Sequence, residues 1–473
     1  METQKLYLNG QWVGSQESIE ITDPATEQPF ARVATVSRDQ VKQSISDAQA
    51  AFGAWRDLPA KNRGEYLIAI ADNLNKRFDE IAKTITRENG KPLAQSKGEV
   101  TMTIDHLRWF AEEGKRAYGR IIPNQVASKR NFAIKRPVGV VGAIAPWNFP
   151  LVLAIRKVAP ALAAGCPVIL KPASQTPLAC VMFAECAHEA KLPKGVFQLI
   201  VGPAQMIADE FLANPLLRKI TFTGSTEVGQ KLIAGAARDV KKLSLELGGH
   251  APVLVFDDAD LDKAVEGSAI AKYRNTGQSC IAANRIYVQR GIYDRFVAAF
   301  VKKSQSLKVG NGLEDNVEIG PLVNEKALRS ALDQIEDAKS KGARILTGGK
   351  RHGAKGFFLE PTVLENVPDN AACMIEETFA PIAPILKFDS ETEGLDRANA
   401  SPYGLSAYAF TRDLSRAIRV MENLEAGTIG INDGVPTTSN APFGGLKHSG
   451  WGRELGSEGL DAFLETKHIS IGL

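Results

Sequence analysis

Val41, Ile45, Ala48 and Phe52 recur at helical spacing, and Ser37 to Gln40 forms an S-x-x-Q box just ahead of them. That pattern predicts an amphipathic helix with its own N-cap. A second helical pattern runs from about Glu65 to Glu88 and stops at Asn89-Gly90, a C-terminal stop signal. From Pro137 to Phe256 the pattern changes, and short β-rich runs alternate with helical ones. The runs are VGVVGAI (138–144), PVIL (167–170), VFQLIV (196–201), KITF (219–222) and PVLVF (252–256). Between them Leu151 to Ala164, Pro177 to Ala190 and Thr226 to Ala237 are each long enough for a crossover helix, which predicts a doubly wound parallel α/β unit.

Beyond Asp257 a second alternation begins, with a helix over 261–273, the strand RIYVQ (285–289), a helix over 293–306, and later strands at 384–388 and 407–410. The two halves therefore read as two α/β domains of similar size, and a cleft between them is the expected site. Ile121 to Lys135 and Lys467 to Leu473 alternate polar and apolar residues without a helical period. Both are expected as strands outside the main sheets, either pairing with another subunit or forming surface hairpins.

Length and composition narrow the function. A chain of 473 residues holds two to four domains. Its 44% apolar and 23% charged content is that of a folded globular protein. The 57 Lys and Arg against 54 Asp and Glu leave +3, with no basic run and 7% aromatics, which gives nucleic acid no footprint. Five Cys without a CxxC pair fit reduced thiols in the cytoplasm, and six scattered His show no metal-ligand spacing, so no metal is expected. The N-terminus has none of the parts of a signal peptide. The longest mainly apolar stretch, Val158 to Leu170, is too short and too broken for a membrane span.

Four signals carry chemistry. Cys280, in NTGQSC, sits on a polar glycine-containing loop, where a thiol is reachable; its alternative is an inert thiol. Glu246, in LELGGH, is an acidic side chain at the end of an apolar run, where burial would raise its pKa toward a usable base; its alternative is a surface carboxylate. Gly224-Ser225-Thr226 leads from a strand into a helix whose exposed amides attract phosphate, although Gly224 and Gly229 do not make a GxGxxG fingerprint and a generic turn remains open. Finally PWNFP (146–150) and KPAS (171–174) follow the first two strands, where ligands bind in open α/β sheets. Asn148 can donate to an oxyanion and Lys171 to a ribose or phosphate; a turn residue and a solvated surface charge are their alternatives.

Taken together, PWNFP, KPAS, FTGST, LELGG, GQSC, EETFAP (376–381) and PFGGLKHSGWGRE (442–454) closely resemble the aldehyde dehydrogenase superfamily, in its order and over nearly the whole chain. The resemblance implies an α/β fold of two doubly wound domains with a small strand-based oligomerisation segment. It places cofactor binding in 1–120 and 142–246, catalysis in 247–440, and oligomerisation strands in 121–141 and 453–473. It further implies Cys280 as nucleophile, Asn148 as oxyanion donor and Glu246 as base. Ala145, Pro146, Trp147, Lys171, Ser174, Gly224, Ser225, Gly229, Leu247, Glu377 and Phe379 would line the cofactor site. The assembly would be a homodimer or homotetramer.

Within the superfamily the chain resembles succinate-semialdehyde dehydrogenases. Arg156, Arg274 in YRNTGQSC, ANRIYVQ and the ending IGL carry that likeness. It implies a small anionic aldehyde gripped by Arg156 and Arg274, with Thr437 assisting where Ser is usual. The structural alternative for Arg274 is a salt bridge. Ala282 replaces a second Cys found in relatives, which removes a disulfide switch, and Ala380 replaces the usual Gly beside Phe379. Ser174 stands where NAD-preferring relatives often carry Glu. Without that carboxylate the 2'-phosphate is not repelled, so NADP is expected to be preferred and NAD accepted. Rivals are a dehydrogenase for glutarate semialdehyde, 2-oxoglutarate semialdehyde or a hydroxyaldehyde, a non-catalytic relative, and an enzyme passing its acyl group to coenzyme A.

Overall fold

In the computed structural model, which describes residues 2–473, four helices come before the first strand of the central parallel sheet. Helix α1 (Arg38–Asp57) starts at the predicted box. The Gln40 amide donates to Ser37 Oγ at 3.3 Å, and the Ser37 amide donates to Gln40 Oε1 at 2.8 Å. The single helix expected over Glu65–Glu88 is two, α2 (Ala60–Lys76) and α3 (Phe78–Asn89), broken at Arg77. Leu74 and Ile81 keep helical phase across the break, so hydrophobic periodicity alone does not show it. α3 ends where Gly90 takes a left-handed φ of 93°. Helix α4 (Leu93–Glu113) has no counterpart among the expected elements, because Glu99, Thr103 and His106 are buried among its apolar positions Val100, Ile104 and Leu107 and blur the stripe.

The first large sheet has five parallel strands at its centre. These are β1 (Val140–Ile144), β2 (Val168–Lys171), β3 (Phe197–Leu199), β4 (Leu217–Thr223) and β5 (Lys242–Glu246), in the order β5-β4-β1-β2-β3. Helices α5 (Val152–Ala164), α6 (Leu178–Glu189), α7 (Ala204–Ala213) and α8 (Thr226–Ala236) cross between them. The chain winds outward from β1 first to one side and then to the other. The crevice at the β1–β4 junction is therefore a topological switch point, where a ligand can reach between diverging loops.

Four residues after β5 the second sheet begins. Strands β6 (Ala251–Val255), β7 (Ala283–Gln289), β8 (Thr362–Glu365), β9 (Ile382–Phe388), β10 (Ser406–Phe410) and β11 (Thr428–Ile431) lie parallel in the order β8-β9-β7-β6-β10-β11, with helix α9 (Leu261–Tyr273) between β6 and β7. Separate apolar clusters fill its two faces. One contains Leu254, Leu364 and Ala409, the other Val253, Ile286 and Tyr408.

The two outlying segments pair with each other. Lys129–Pro137 lies between Arg120–Ile122 and Leu464–Gly472, all antiparallel, with Leu464 opposite Pro137 and Gly472 opposite Lys129. The boundaries differ from those expected. Val140 and Val141 pair with Leu217 and Lys219 inside the first sheet, so the strand segment stops at Pro137 and not at 141. Gly456–Asp461 is a helix, so 453–473 is strand only from Leu464. A three-stranded N-terminal sheet of Thr3–Gln4, Ser18–Asp23 and Gln28–Ala34 adds to the expected elements.

Candidate active site

The carboxyl ends of β1, β2, β4 and β5 deliver, side by side, the Ala145–Phe149 turn, Lys171, Gly224–Thr226 and Glu246. Leu247–His250 then carries the chain to the second sheet. The Cys280 loop is packed against this bridge so closely that a Cβ on Gly249 would lie 2.1 Å from the Cys280 carbonyl oxygen. Only glycine fits there.

Between α9 and β7 the loop runs through three consecutive left-handed residues, Asn275 (φ 51°), Thr276 (φ 59°) and Gly277 (φ 75°). For a β-branched residue such as Thr276 this conformation is strained, at about 1–3 kcal/mol. Hydrogen bonds hold it. Thr276 Oγ1 donates to the Gly320 carbonyl and accepts from the Gly320 amide, both at 3.1 Å, and Asn275 Nδ2 donates to the Asn148 carbonyl at 2.7 Å. The Val323 amide donates to Gln278 Oε1 at 2.9 Å, and the Tyr408 hydroxyl donates to the Ile281 carbonyl at 2.7 Å. Cys280 is thereby fixed from both domains, and it is the half-buried exception among five free cysteines, the other four being buried.

Cys280 lines a narrow cavity with about 410 Å³ of space between atoms, shared with Met102, Phe149, Arg156, Arg274, Thr437 and Phe443 among others. Arg156 lies over the Phe443 ring at 4.9 Å and Arg274 over the Phe149 ring at 5.1 Å. Neither guanidinium has a carboxylate partner among the described residues, which removes the salt-bridge alternative for Arg274. Its one polar contact, Nη2 to Met102 Sδ at 3.6 Å, is weak. Arg156 Nε and Thr437 Oγ1 are buried without hydrogen-bond partners. A cavity holding two unpaired cations and orphaned donors is built for an anion.

Glu246 is buried, and its Oε2 has no hydrogen-bond partner. Burial raises its pKa well above the carboxylate range, and the charge of Glu454 adds to this, against Lys157 and Arg156. Lys157 is itself fully buried and joins the Thr223 hydroxyl, at 2.5 Å, to the Glu454 carboxylate. The Cys280 thiol is pushed up to about 12 by burial first, then by the Glu377 and Glu246 carboxylates, with Arg156 opposing. Asn148 is buried and its Nδ2 donates one hydrogen to the Gln278 carbonyl at 3.1 Å, two residues before Cys280. Its second N–H has no partner among the described residues.

The crevice at the switch point suits a dinucleotide. Ser225 caps α8 by accepting from the Val228 amide, leaving the first amides of the helix at the end of β4. Lys171 is buried without an ion pair among the described residues, and burial lowers it to about 8. At Gly248 a Cβ would stand only 3.2–3.4 Å from Tyr403, Thr226 and Glu377, so the backbone there packs close to all three. Glu377, raised to about 7 by burial, accepts from the Gly249 amide at 3.0 Å. The Phe379 ring meets Trp147 edge-on at 5.6 Å. Ala145 and Pro146 continue the β1 strand end, with the Ala145 amide on the Lys171 carbonyl. Ser174 is half-buried, and the side chain there is a hydroxyl, without charge. Leu247 turns its side chain into an apolar cluster with Phe222, Leu232 and Leu245. Gly229 is buried one turn into α8, where a Cβ would lie 2.5 Å from Leu247, so its lack of a side chain lets the helix pack closely on the end of the sheet.

Phe149, Phe443, Met102, Lys157 and Glu454 complete the site, and none of them is marked as a site residue by the sequence motifs alone. Lys157 is the most findable, as a charge inside the apolar run Leu151–Ala164.

Fold and site together set a half-buried thiol beside a buried carboxylate and a crevice suited to a dinucleotide, the arrangement of an enzyme. The Aldehyde dehydrogenase family model matches residues 12–469, and the chain belongs to that family. It is 48% identical to the NADP(+) succinate-semialdehyde dehydrogenase GabD of Escherichia coli (strain K12) over 99% of this chain and 98% of that one. It is 47% identical to a glutarate-semialdehyde dehydrogenase of Pseudomonas aeruginosa, again over 99% and 98%. The crystal structure of an E. coli NADP-dependent enzyme superposes with a TM-score of 0.98 at 47% identity, covering 100% of this chain and 98% of that one.

With the Cys280 thiol near 12, its thiolate fraction rises about tenfold per pH unit through the neutral range. Alkylation of Cys280 by iodoacetamide in the ligand-free protein, followed by mass spectrometry, should therefore accelerate about tenfold from pH 7 to 8 and again from 8 to 9. A plateau reached below pH 8 contradicts the assigned electrostatics.

Proposed function

We propose that the protein oxidises succinate semialdehyde to succinate, with NADP preferred and NAD accepted. The observation that carries this is the pair of guanidiniums without carboxylate partners, Arg156 and Arg274, in one cavity with Cys280. A carboxylate at the far end of a short aldehyde would satisfy both and set the carbonyl at the thiol. The relatives named for succinate and glutarate semialdehyde both act on a carboxylate-tailed aldehyde.

The residues divide the work between them. Cys280 Sγ adds to the aldehyde carbon, and its proton leaves to Glu246, which burial makes a stronger base than a free carboxylate. The free N–H of Asn148 Nδ2 and the Cys280 amide hold the developing oxyanion. A bound dinucleotide would supply the hydride acceptor; Trp147, Lys171, Ser174, Gly224, Ser225, Glu377, Phe379 and the Leu247 backbone would hold and orient it. Once Glu246 has released that proton to solvent it deprotonates the water that attacks the thioester left on sulfur, and the departing Cys280 thiolate takes the proton back as succinate is freed, which favours water over coenzyme A as acceptor. Thr437 Oγ1 gives the substrate carboxylate a further donor.

The length of the charged tail also sets the scale of selectivity: one methylene more, as in glutarate semialdehyde, is worth about 10–200-fold in such a pocket. Among the described residues no helix is long and apolar enough to cross a membrane. A reactive thiol with no disulfide partner suits the cytoplasm. The free edges of Thr428–Ile431 and Leu464–Gly472, the latter with Ile471 exposed, favour strand pairing between copies into a homodimer or homotetramer.

Cys280→Ala should abolish oxidation. Arg274→Ala should lower kcat/KM for succinate semialdehyde by about 100-fold or more, the loss of a charge-assisted pair, while an uncharged aldehyde of equal length changes little. Equal losses for both substrates would remove the anion reading. Ser174→Glu should cut kcat/KM with NADP by more than about tenfold through repulsion of the 2'-phosphate and spare NAD; a wild-type strong preference for NAD overturns the cofactor assignment. Light scattering on the eluting protein should give a dimer or tetramer mass, and a monomer would refute the strand-pairing proposal.

A further inference from the structure

The ends of α3 and α4 hold two charged residues that touch neither the cavity nor the crevice, yet are bonded to the turn bearing Asn148. Lys91 and Glu99 have fully buried side chains and form an ion pair at 2.6 Å. Lys91 Nζ also donates to the Asn148 carbonyl at 2.7 Å and lies 3.8 Å above the Phe149 ring. The second oxygen of Glu99 accepts from the Leu151 amide at 2.9 Å and the Val152 amide at 3.2 Å. Those are the opening amides of α5, which has no side-chain cap of its own. Asn89, at the end of α3, adds Nδ2 bonds to the Trp147 carbonyl at 3.0 Å and the Asn148 carbonyl at 3.4 Å.

One buried ion pair thus grips both ends of the segment from Asn148 to Val152. A buried pair is weak evidence for stability, since apolar residues of similar volume often do as well. What it supplies here is direction. The Asn148 carbonyl takes a charged donor from Lys91 and a neutral one from Asn275 of the Cys280 loop, so the peptide plane that orients the Asn148 side chain is fixed between the helical layer and the nucleophile loop. Glu99 fixes the start of α5, the helix that carries Arg156. The same face of α4 brings Met102 against Arg274.

The geometry points to Lys91 and Glu99 as positioning residues for the reaction, holding the Asn148 amide where the oxyanion forms. The inference rests on the oxyanion role given to Asn148 above. Electrostatic catalysis needs the donor fixed before the charge develops, so a loosened Asn148 turn would lower kcat without weakening cofactor binding.

The test is a double-mutant cycle between the pair and Asn148. Lys91→Met with Glu99→Gln removes both charges together, leaves no uncompensated ion, and keeps a side-chain carbonyl at position 99 that still accepts from the α5 amides. In the full-length enzyme this variant should bind NADP as tightly as wild type while kcat for succinate semialdehyde falls about 10- to 100-fold, approaching the loss of an oxyanion donor. In an Asn148→Ala background the same two changes should alter kcat by less than about twofold. Unchanged kcat in the first variant, or an equal fold-loss in both backgrounds, overturns the inference and leaves the pair structural. An Asn148→Ala enzyme with wild-type kcat instead removes the oxyanion role, and this inference with it, and is distinguishable because it is read before the pair is changed. If the charge-free variant does not fold, Asn89→Ala, which deletes a neutral donor to the same carbonyls, is read through the same cycle with the same outcomes.

Discussion

The contact on which the site depends is the approach of the Cys280 carbonyl to Gly249, so close that no side chain could stand between them. Gly249 lies in the four-residue bridge from the last strand of the first sheet, ending at Glu246, to the first strand of the second, beginning at Ala251. Packing the Cys280 loop onto that bridge gathers the thiol, the buried carboxylate and the strand ends of the crevice into one place, with Cys280 packed on the core of the first sheet. The left-handed run Asn275–Gly277 is the conformational expense of this approach. It persists because hydrogen bonds from Gly320, Gln95, Tyr408 and the Asn148 turn over-determine the loop.

Electrostatics around the sulfur are unbalanced in a purposeful way. Glu246 and Glu377 are both raised by burial, so each holds a proton more readily than a free carboxylate, and their charge in turn raises the Cys280 thiol. The arginines of the same region are left without carboxylates. Elsewhere two fully buried lysines are paired with carboxylates, Lys91 with Glu99 and Lys157 with Glu454, while Lys219 and Lys272 are buried on the neutral partners Ser244 and Asn284. The contrast separates two uses of buried charge. Lys91 and Glu99 hold backbone in place, whereas Arg156 and Arg274 face a cavity with room for an anion.

Much of this is legible in the sequence because it is local. The alternation of short apolar runs with helical stretches specifies the parallel sheets, since strands buried on both faces must be continuously apolar. The Ser37 box and the Gly90 stop carry their own short-range hydrogen bonds. Cys280 and Glu246 stand out as reactive residue types in settings where they would otherwise be out of place. The break at Arg77 does not, because its cause is distant: Arg77 reaches Glu185 on another helix at 2.5 Å. Helix α4 is hidden for a similar reason, since Glu99 looks like a surface residue until its partners Lys91 and the α5 amides are seen.

The chain by itself determined the class of fold and the family, and it marked Cys280 and Glu246 as candidates, because those are written in periodicity and in contiguous motifs. Tertiary structure decided that Gly229 packs closely on Leu247 and Gly248 among Tyr403, Thr226 and Glu377, that the outlying strands pair with each other, and that Arg156 and Arg274, far apart in sequence, share one cavity without carboxylate partners. The physical reason is that burial, pairing and pKa are properties of three-dimensional neighbourhood, and residues 118 positions apart acquire a common neighbourhood only when two sheets close on the same bridge.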